Sequence, residues 1–279
     1  MTLVDEPTRA LIRRANIEVI PLKGADRALT VLPRTTTVTV TCSPKFGLER
    51  TFAHVASARE AGYRVVPHVA ARQVRDAAEL RSIVSRMAEI GIDDLYVVGG
   101  DAPEPVGAFA SAGELLQELA GMSHPFERIG VACYPEGHPK IGDDTLAEAL
   151  LSKQGTATYM VSQLCFDPSA LRGWLSRMRE AGVTLPLRVG LAAPLNSRKL
   201  VELSLRIGVG SSVKFLSKQH GLMNNLVIGR DYEPETLLAE LGREASFADQ
   251  GIEGVHLFSF NQIDRTADWQ RRQGEPVPA

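Results

Sequence analysis

Short β-branched runs alternate with longer amphipathic stretches through most of the chain. Eight runs read as strands: 17–20, 35–42, 64–70, 94–98, 129–133, 158–164, 187–191 and 254–260. Each is rich in Val, Ile, Thr or Leu with few charges, the pattern of parallel strands covered on both faces. The intervening stretches carry helix punctuation. Residues 48–60 open beside Gly47 and stop at Gly62, and 76–90 begin with Asp76 and stop at Gly91. Residues 169–181 follow Asp167-Pro168 and end at Gly182, while 233–250 start around Pro234 and stop at Gly251. Eight strands with crossover helices predict a closed (β/α)8 TIM barrel, with a doubly wound open sheet as the alternative. No break in composition divides the chain, so 1–279 is expected to be one domain, with 1–16 a lead-in and 268–279 a loose tail. Only 211–230 breaks the alternation, with Lys214, Lys218, His220, Asn224 and Asn225. It reads either as a cover over the barrel mouth or as a structural excursion.

Length agrees with this architecture, since 279 residues match the ~250 of one such barrel. A net charge of −2 predicts no pull towards nucleic acid or an anionic membrane. Cys42, Cys133 and Cys165 are odd in number and lie in apolar runs, which suggests free thiols in a reducing compartment. Neither a signal-peptide core nor a membrane-length apolar stretch is present, so a soluble cytoplasmic protein is expected.

In such barrels the chemistry sits at the C-terminal ends of the strands. Those positions hold Glu18, Thr41, His68, Gly99-Gly100-Asp101, Tyr134 with Glu136 and His138, Gln163, and Asn261-Gln262. A carboxylate in an apolar strand is costly to bury without a partner, so Glu18 is either functional or paired with a structural cation. Gly-Gly-Asp alone is also an ordinary loop, His68 alone also a satisfied core histidine, and Tyr134 also a packing residue. Together they form a polar mouth suited to a neutral or cationic heterocycle. Gly99-Gly100-Asp101 lacks the Lys-Ser/Thr of a phosphate loop, Gly208-Val209-Gly210 lacks the third glycine of a dinucleotide fingerprint, and no zinc spacing or nucleophile elbow occurs.

Taken in order, these pieces resemble the methylenetetrahydrofolate reductase family. The matching residues are Glu18, Thr39-Val40-Thr41 with Gly47 and Glu49-Arg50-Thr51, Pro67-His68, and Gly100-Asp101 with a proline after it. Tyr134-Pro135-Glu136, His138-Pro139, Lys153, Gln163 with Phe166-Asp167, and Gly190 continue the match. The resemblance implies a (β/α)8 barrel that passes hydride to 5,10-methylenetetrahydrofolate and yields 5-methyltetrahydrofolate. It makes Glu18 the general acid for N10, kept protonated by apolar surroundings. Asp101 would stabilise the N5 iminium cation, and Gln163 would bond the pterin. Lys199, Leu203 and Gln262 complete the folate site. Thr41, His68, Gly99, Gly100, Tyr134, His138 and Lys153 fall on the cofactor side, and no metal is implied.

The departures lie around the flavin. Members carrying FAD have an Arg where this chain has Gly99. They also have Asn and Arg on the helix where it has Leu146-Ala147-Glu148-Ala149-Leu150-Leu151-Ser152, keeping only Lys153. Gln and Phe become Lys199 and Leu203, and the strand-eight Arg becomes Gln262. A pyrophosphate without cations or donors is poorly held. NADH or NADPH is therefore expected to deliver hydride directly, with FAD weak or absent. On that expectation 142–145 and Lys153 hold one dinucleotide, and His68 and Tyr134 line the nicotinamide wall. The alternatives are an ordinary FAD-dependent member, a lyase or methyltransferase on another pterin, and a non-catalytic pterin-binding barrel. Glu18 speaks against the last, because binding needs no proton donor.

Overall fold

The computed structural model describes residues 4–206 and 232–274. Eight parallel strands close into one barrel in sequential order. They are β1 (Asn16–Val19), β2 (Thr37–Val40), β3 (Arg64–Ala70), β4 (Asp94–Val98), β5 (Arg128–Cys133), β6 (Tyr159–Ser162), β7 (Leu187–Ala192) and β8 (Ile252–Phe258). Ten described helices accompany them: α1 (Glu6–Arg13), α2 (Ala25–Ala28), α3 (Gly47–Glu60), α4 (Ala77–Glu89), α5 (Ala112–Ala120), α6 (Asp143–Lys153), α7 (Pro168–Glu180), α8 (Ser197–Arg206), α9 (Glu235–Glu244) and α10 (Ile263–Gly274). The barrel expected from the periodicity is therefore present, and the open sheet is not. Residues 211–230, with Lys214, Lys218, His220, Asn224 and Asn225, lie outside the described residues.

Side-chain alternation divides each strand between two environments. Ile17, Val19, Val38, Val40, Val65, Leu95, Val97, Ile129, Val131, Met160, Leu187, Val189, Val255 and Leu257 face the helices and form the main core. Residues of the opposite parity point into the barrel. At its lower end, Tyr159 donates to Asp94 at 2.8 Å, and the Arg128 and Arg188 guanidinium groups lie over the Tyr159 ring at 4.7 and 5.2 Å. Both arginines also bond Glu253. Gly130 makes room for this layer, since a Cβ there would lie 2.4 Å from the Tyr159 ring. Above it, Val66, Tyr96 and Val161 pack around the axis. The barrel is thus filled below the middle by a self-paired polar layer and an apolar one, and opens towards its C-terminal mouth.

Helix starts follow their sequence signals. Asp76 accepts from Glu79 N at 2.9 Å, and Glu79 reaches back to Arg75 N. Asp167, ahead of Pro168, accepts from Ser169 N and Ala170 N. Two ends differ from the expectation. The helix expected over 233–250 is α9 and stops at Glu244, after which the Gln250 amide bonds the Leu241 and Ala245 carbonyls. Residues 268–274 belong to α10 rather than to a loose tail, and the lead-in contains α1. α10 buries Thr266, Trp269, Gln270 and Gln273. Trp269 and Gln273 bond the Glu235 carboxylate, Gln270 bonds Ile12 O, and Arg13 caps Gly274 O. Beside Ile263, Ala267 and Trp269 this face buries polar groups satisfied by partners far away in sequence, which hydrophobic periodicity does not reveal.

Candidate active site

Three titratable side chains meet inside the barrel. Glu18 on β1, His68 on β3 and His256 on β8 have the inward parity, and their side chains are only 14%, 4% and 2% exposed. His256 Nε2 lies 3.2 Å from Glu18 Oε2, and His68 Nδ1 lies 3.9 Å from the same oxygen. Tyr96 packs against the His68 ring with centroids 4.6 Å apart, and Phe258 against the His256 ring at 4.8 Å. Glu18 therefore has histidine partners rather than a structural arginine. His256 was not singled out above, because attention to strand ends passes over a mid-strand residue. Its signal is the one His68 gives, a histidine enclosed by apolar residues in Val255-His256-Leu257.

The electrostatics correct one expectation. Burial raises the Glu18 carboxyl, but the His256 hydrogen bond and the charges of His68 and His256 lower it further, leaving it below its ordinary value. Apolar surroundings alone do not keep this acid protonated. His68 is pushed from the ordinary 6.5 to about 4 by burial, with Glu18 opposing and His256 assisting. It is thus neutral near pH 7, where the depression of Glu18 rests on His256.

The low folded-state value of His68 has a consequence for stability. Above 6.5 the imidazole is neutral in both folded and unfolded chains, so its full contribution is present. Between 6.5 and about 4 only the unfolded chain takes up the proton, and stability falls with pH by up to about 3 kcal/mol. Denaturant melts at pH 7 and pH 4.5 should show this loss, and His68→Asn should show less of it. Equal acid sensitivity in both proteins would remove His68 as its source.

The donor atoms of Glu18, His68 and His256 lie within 4.8 Å of one another, a set able to approach a divalent ion. His68 Nε2, however, is buried without a partner in the structure, whereas metal-bound histidines nearly always anchor their second nitrogen. The set is better suited to handling a proton.

Asp101 follows β4 and is exposed at the mouth. Gly100 ahead of it has φ +94°, and a Cβ there would lie 2.9 Å from Ala70 Cβ. Gly99 meets no side chain. Arg72 holds the loop through Ala102 O, Pro103 O and Ala110 O at 2.8, 2.7 and 3.0 Å. The negative fields of Glu18 and Asp101 both act on Cys42, whose thiol is pushed up to about 12, mainly by burial. Asp101 also acts on Tyr134 and His138, so it shares the mouth with them. Burial raises Tyr134 to about 12 and lowers His138, and their rings meet edge to face at 4.9 Å. Glu136 accepts from Phe166 N and Asp167 N, tying the loop after β5 to the loop after β6.

Gln163 follows β6, with its amide oxygen turned to Leu164 N. Gly190 permits the close approach of β6 and Phe258, since a Cβ there would lie 2.1 Å from Ser162 O and 2.9 Å from the Phe258 ring. Thr41 is half-buried and accepts from Thr51 through its carbonyl. Lys199 and Leu203 share a face of α8. Lys199 is exposed, and Leu203 packs on the apolar group of Leu164, Phe166, Ala192, Leu195, Leu200 and Tyr232. Gln262 begins the turn into α10, donating to Ser259 O.

The groups offered to a flavin dinucleotide do not fit it. Gly99 supplies no side chain, and the first turn of α6 carries Asp143 and Asp144, which oppose a phosphate. Lys153 is at the opposite end of α6, where burial lowers its ammonium and Cys133 opposes that shift. It lines a small space with Cys133, Tyr134, Leu150 and Trp174. The acidic turn at 143–144 equally disfavours the nicotinamide pyrophosphate expected at 142–145.

An acid and two buried histidines lie beneath a carboxylate-bearing mouth on the C-terminal side of the strands. The family model for methylenetetrahydrofolate reductase matches residues 22–269, and the chain belongs to that family. A probable methylenetetrahydrofolate reductase (NADH) of Oryza sativa subsp. japonica is 27% identical over 39% of this chain and 21% of its own length. Methylenetetrahydrofolate reductase 2 of Saccharomyces cerevisiae is 28% identical over 36% of this chain and 19% of its own. These matches thus span about a fifth of the relatives' length. Among solved structures, oxaloacetate acetylhydrolase aligns with a TM-score of 0.53 at 10% identity, over 96% of this chain and 86% of that one. A 2,3-dimethylmalate lyase aligns with a TM-score of 0.51 at 9% identity, over 97% and 86%. Such likeness concerns the barrel fold alone. No described helix is long and apolar enough to cross a membrane.

Proposed function

We propose that this chain reduces 5,10-methylenetetrahydrofolate to 5-methyltetrahydrofolate, taking hydride directly from NADH or NADPH. The observation that carries this reading is the Glu18–His256 contact at 3.2 Å inside the barrel, beneath the mouth that holds Asp101. Ring opening of the substrate leaves a cation at N5 and requires a proton at N10. A buried carboxylate and imidazole joined by one hydrogen bond give a proton a path between them. In the free protein the His256 hydrogen bond favours the ionised form of Glu18, so the donating form is gained as substrate covers the site. A pterin over the carboxylate excludes water and raises its proton affinity, against the lowering by His256. Asp101 faces the cation from the mouth, and Gln163 turns its amide from Leu164 N to the pterin edge. His68, buried against Glu18, fits support of the acid better than the wall of an open nicotinamide groove.

The fit of the residues favours a reductase without bound flavin. NADH is then a co-substrate, which enters and leaves with each turnover across Thr41, Tyr134 and His138. Desalted protein should be colourless, without a flavin absorption band, and should oxidise NADH when given methylenetetrahydrofolate. A yellow preparation whose activity is lost on stripping and regained with FAD would overturn the flavin-free reading. It would leave the folate chemistry at Glu18 intact.

A further inference from the structure

The barrel closes where its first and last strands meet, and the Glu18–His256 contact lies across that seam. Ladder pairing between β1 and β8 ends at Glu18↔Phe258. Beyond it, side chains take over. Ser259 Oγ donates to Glu18 O and accepts from Asn261 N at 3.1 Å. The Asn261 amide then grips the Ile20 peptide at both polar atoms, accepting from Ile20 N at 2.8 Å and donating to Ile20 O at 2.9 Å. A two-point grip of this kind reproduces what another rung of the ladder would give.

The backbone that delivers the grip is strained. Phe260 and Asn261 have φ of 49° and 58°, the only non-glycine residues with positive φ among those described. Asparagine tolerates this region, whereas a bulky aromatic rarely enters it. Two successive residues persist there only when their surroundings over-determine them. Phe260 packs on the apolar group that includes Leu164, Phe166 and Tyr232, and Asn261 is fixed by Ile20. The corner after β8 therefore ties the segment bearing the acid to the strand bearing its histidine.

We propose that Asn261, assisted by Ser259, is a positioning residue that sets Glu18 against His256 for proton transfer. This rests on the reading of Glu18 as proton donor. Asn261 touches neither substrate nor the reacting atoms, so its effect passes through the carboxylate.

Glycine separates this role from a structural one, because it adopts φ near 58° without strain while lacking the amide. Asn261→Gly should fold, losing some melting temperature with the two Ile20 bonds but less than Asn261→Ala, which adds backbone strain. Its kcat should fall on the order of 10-fold or more, with KM for methylenetetrahydrofolate little changed and the pH profile of kcat displaced. Asn261→Ala should lose both turnover and melting temperature. Glu18→Gln is assayed alongside. If it loses turnover while Asn261→Gly keeps both wild-type kcat and the wild-type pH profile, the positioning role is wrong and the proton-donor reading stands. If neither variant loses turnover, both fall.

Discussion

Glu18→Gln is expected to fold, to bind folate and nicotinamide, and to lose turnover by on the order of 10²-fold or more. Glutamine keeps the length and the hydrogen-bonding capacity of the side chain, so the contact now made by His256 Nε2 at 3.2 Å can persist with the amide as partner. What disappears is the exchangeable proton, because an amide neither donates one to N10 nor takes one back. The loss should therefore fall on kcat, with KM for methylenetetrahydrofolate within a few-fold of wild type. Loss of the ionisable group should also remove from the pH profile of kcat the fall at high pH that a required general acid gives. Steady-state kinetics over pH, with folate binding measured separately, checks each part. Near-normal kcat in a folded variant would take Glu18 out of the chemistry.

The barrel was legible in the sequence because its strands are short, β-branched and doubly covered, and because glycines mark the helix ends. Gly62, Gly91, Gly182 and Gly251 all have positive φ, so the punctuation that suggested those boundaries has a backbone cause. Elements held by polar contacts were not legible. α10 is fixed through Glu235 on α9 and the carbonyls ending α1, partners that no local pattern announces. The same division runs through the site. Glu18 and His68 stand out as polar residues in apolar strands, and so does His256 once mid-strand positions are counted. Closure of the barrel is what makes them neighbours, since β8 pairs with β1 only after the whole chain has folded. The protonation behaviour of Glu18 was misjudged for that reason: apolar sequence neighbours suggest a raised value, and a histidine 238 residues away reverses it. Asn261 was visible as a strand-end residue, but its grip on Ile20 and the left-handed backbone beneath it are properties of the folded corner.

Asp101→Asn should weaken both pterin binding and turnover, at a combined cost of roughly 2–4 kcal/mol in kcat/KM. Asp101 is held at the mouth by means that do not depend on its own charge. Gly100 brings the backbone against Ala70, and Arg72 spends its hydrogen bonds on carbonyls of the same loop. Asparagine at 101 should therefore occupy the same place without a loss of fold, leaving electrostatics as the difference. A preplaced negative charge favours the N5 cation over the uncharged closed ring, so its removal should reduce kcat more than it raises KM. The exposure of Asp101 limits the effect in the free protein, where water screens the carboxylate. Once a pterin covers the mouth, water leaves and the interaction strengthens. The loss should thus be small for binding of a neutral pterin and large for turnover of methylenetetrahydrofolate. Comparing the two ligands in wild type and variant tests this directly, with melting temperature as the control for folding. If Asp101→Asn turns over methylenetetrahydrofolate at the wild-type rate and binds it equally well, Asp101 is a solvated loop residue, and the cation is stabilised by other groups at the mouth.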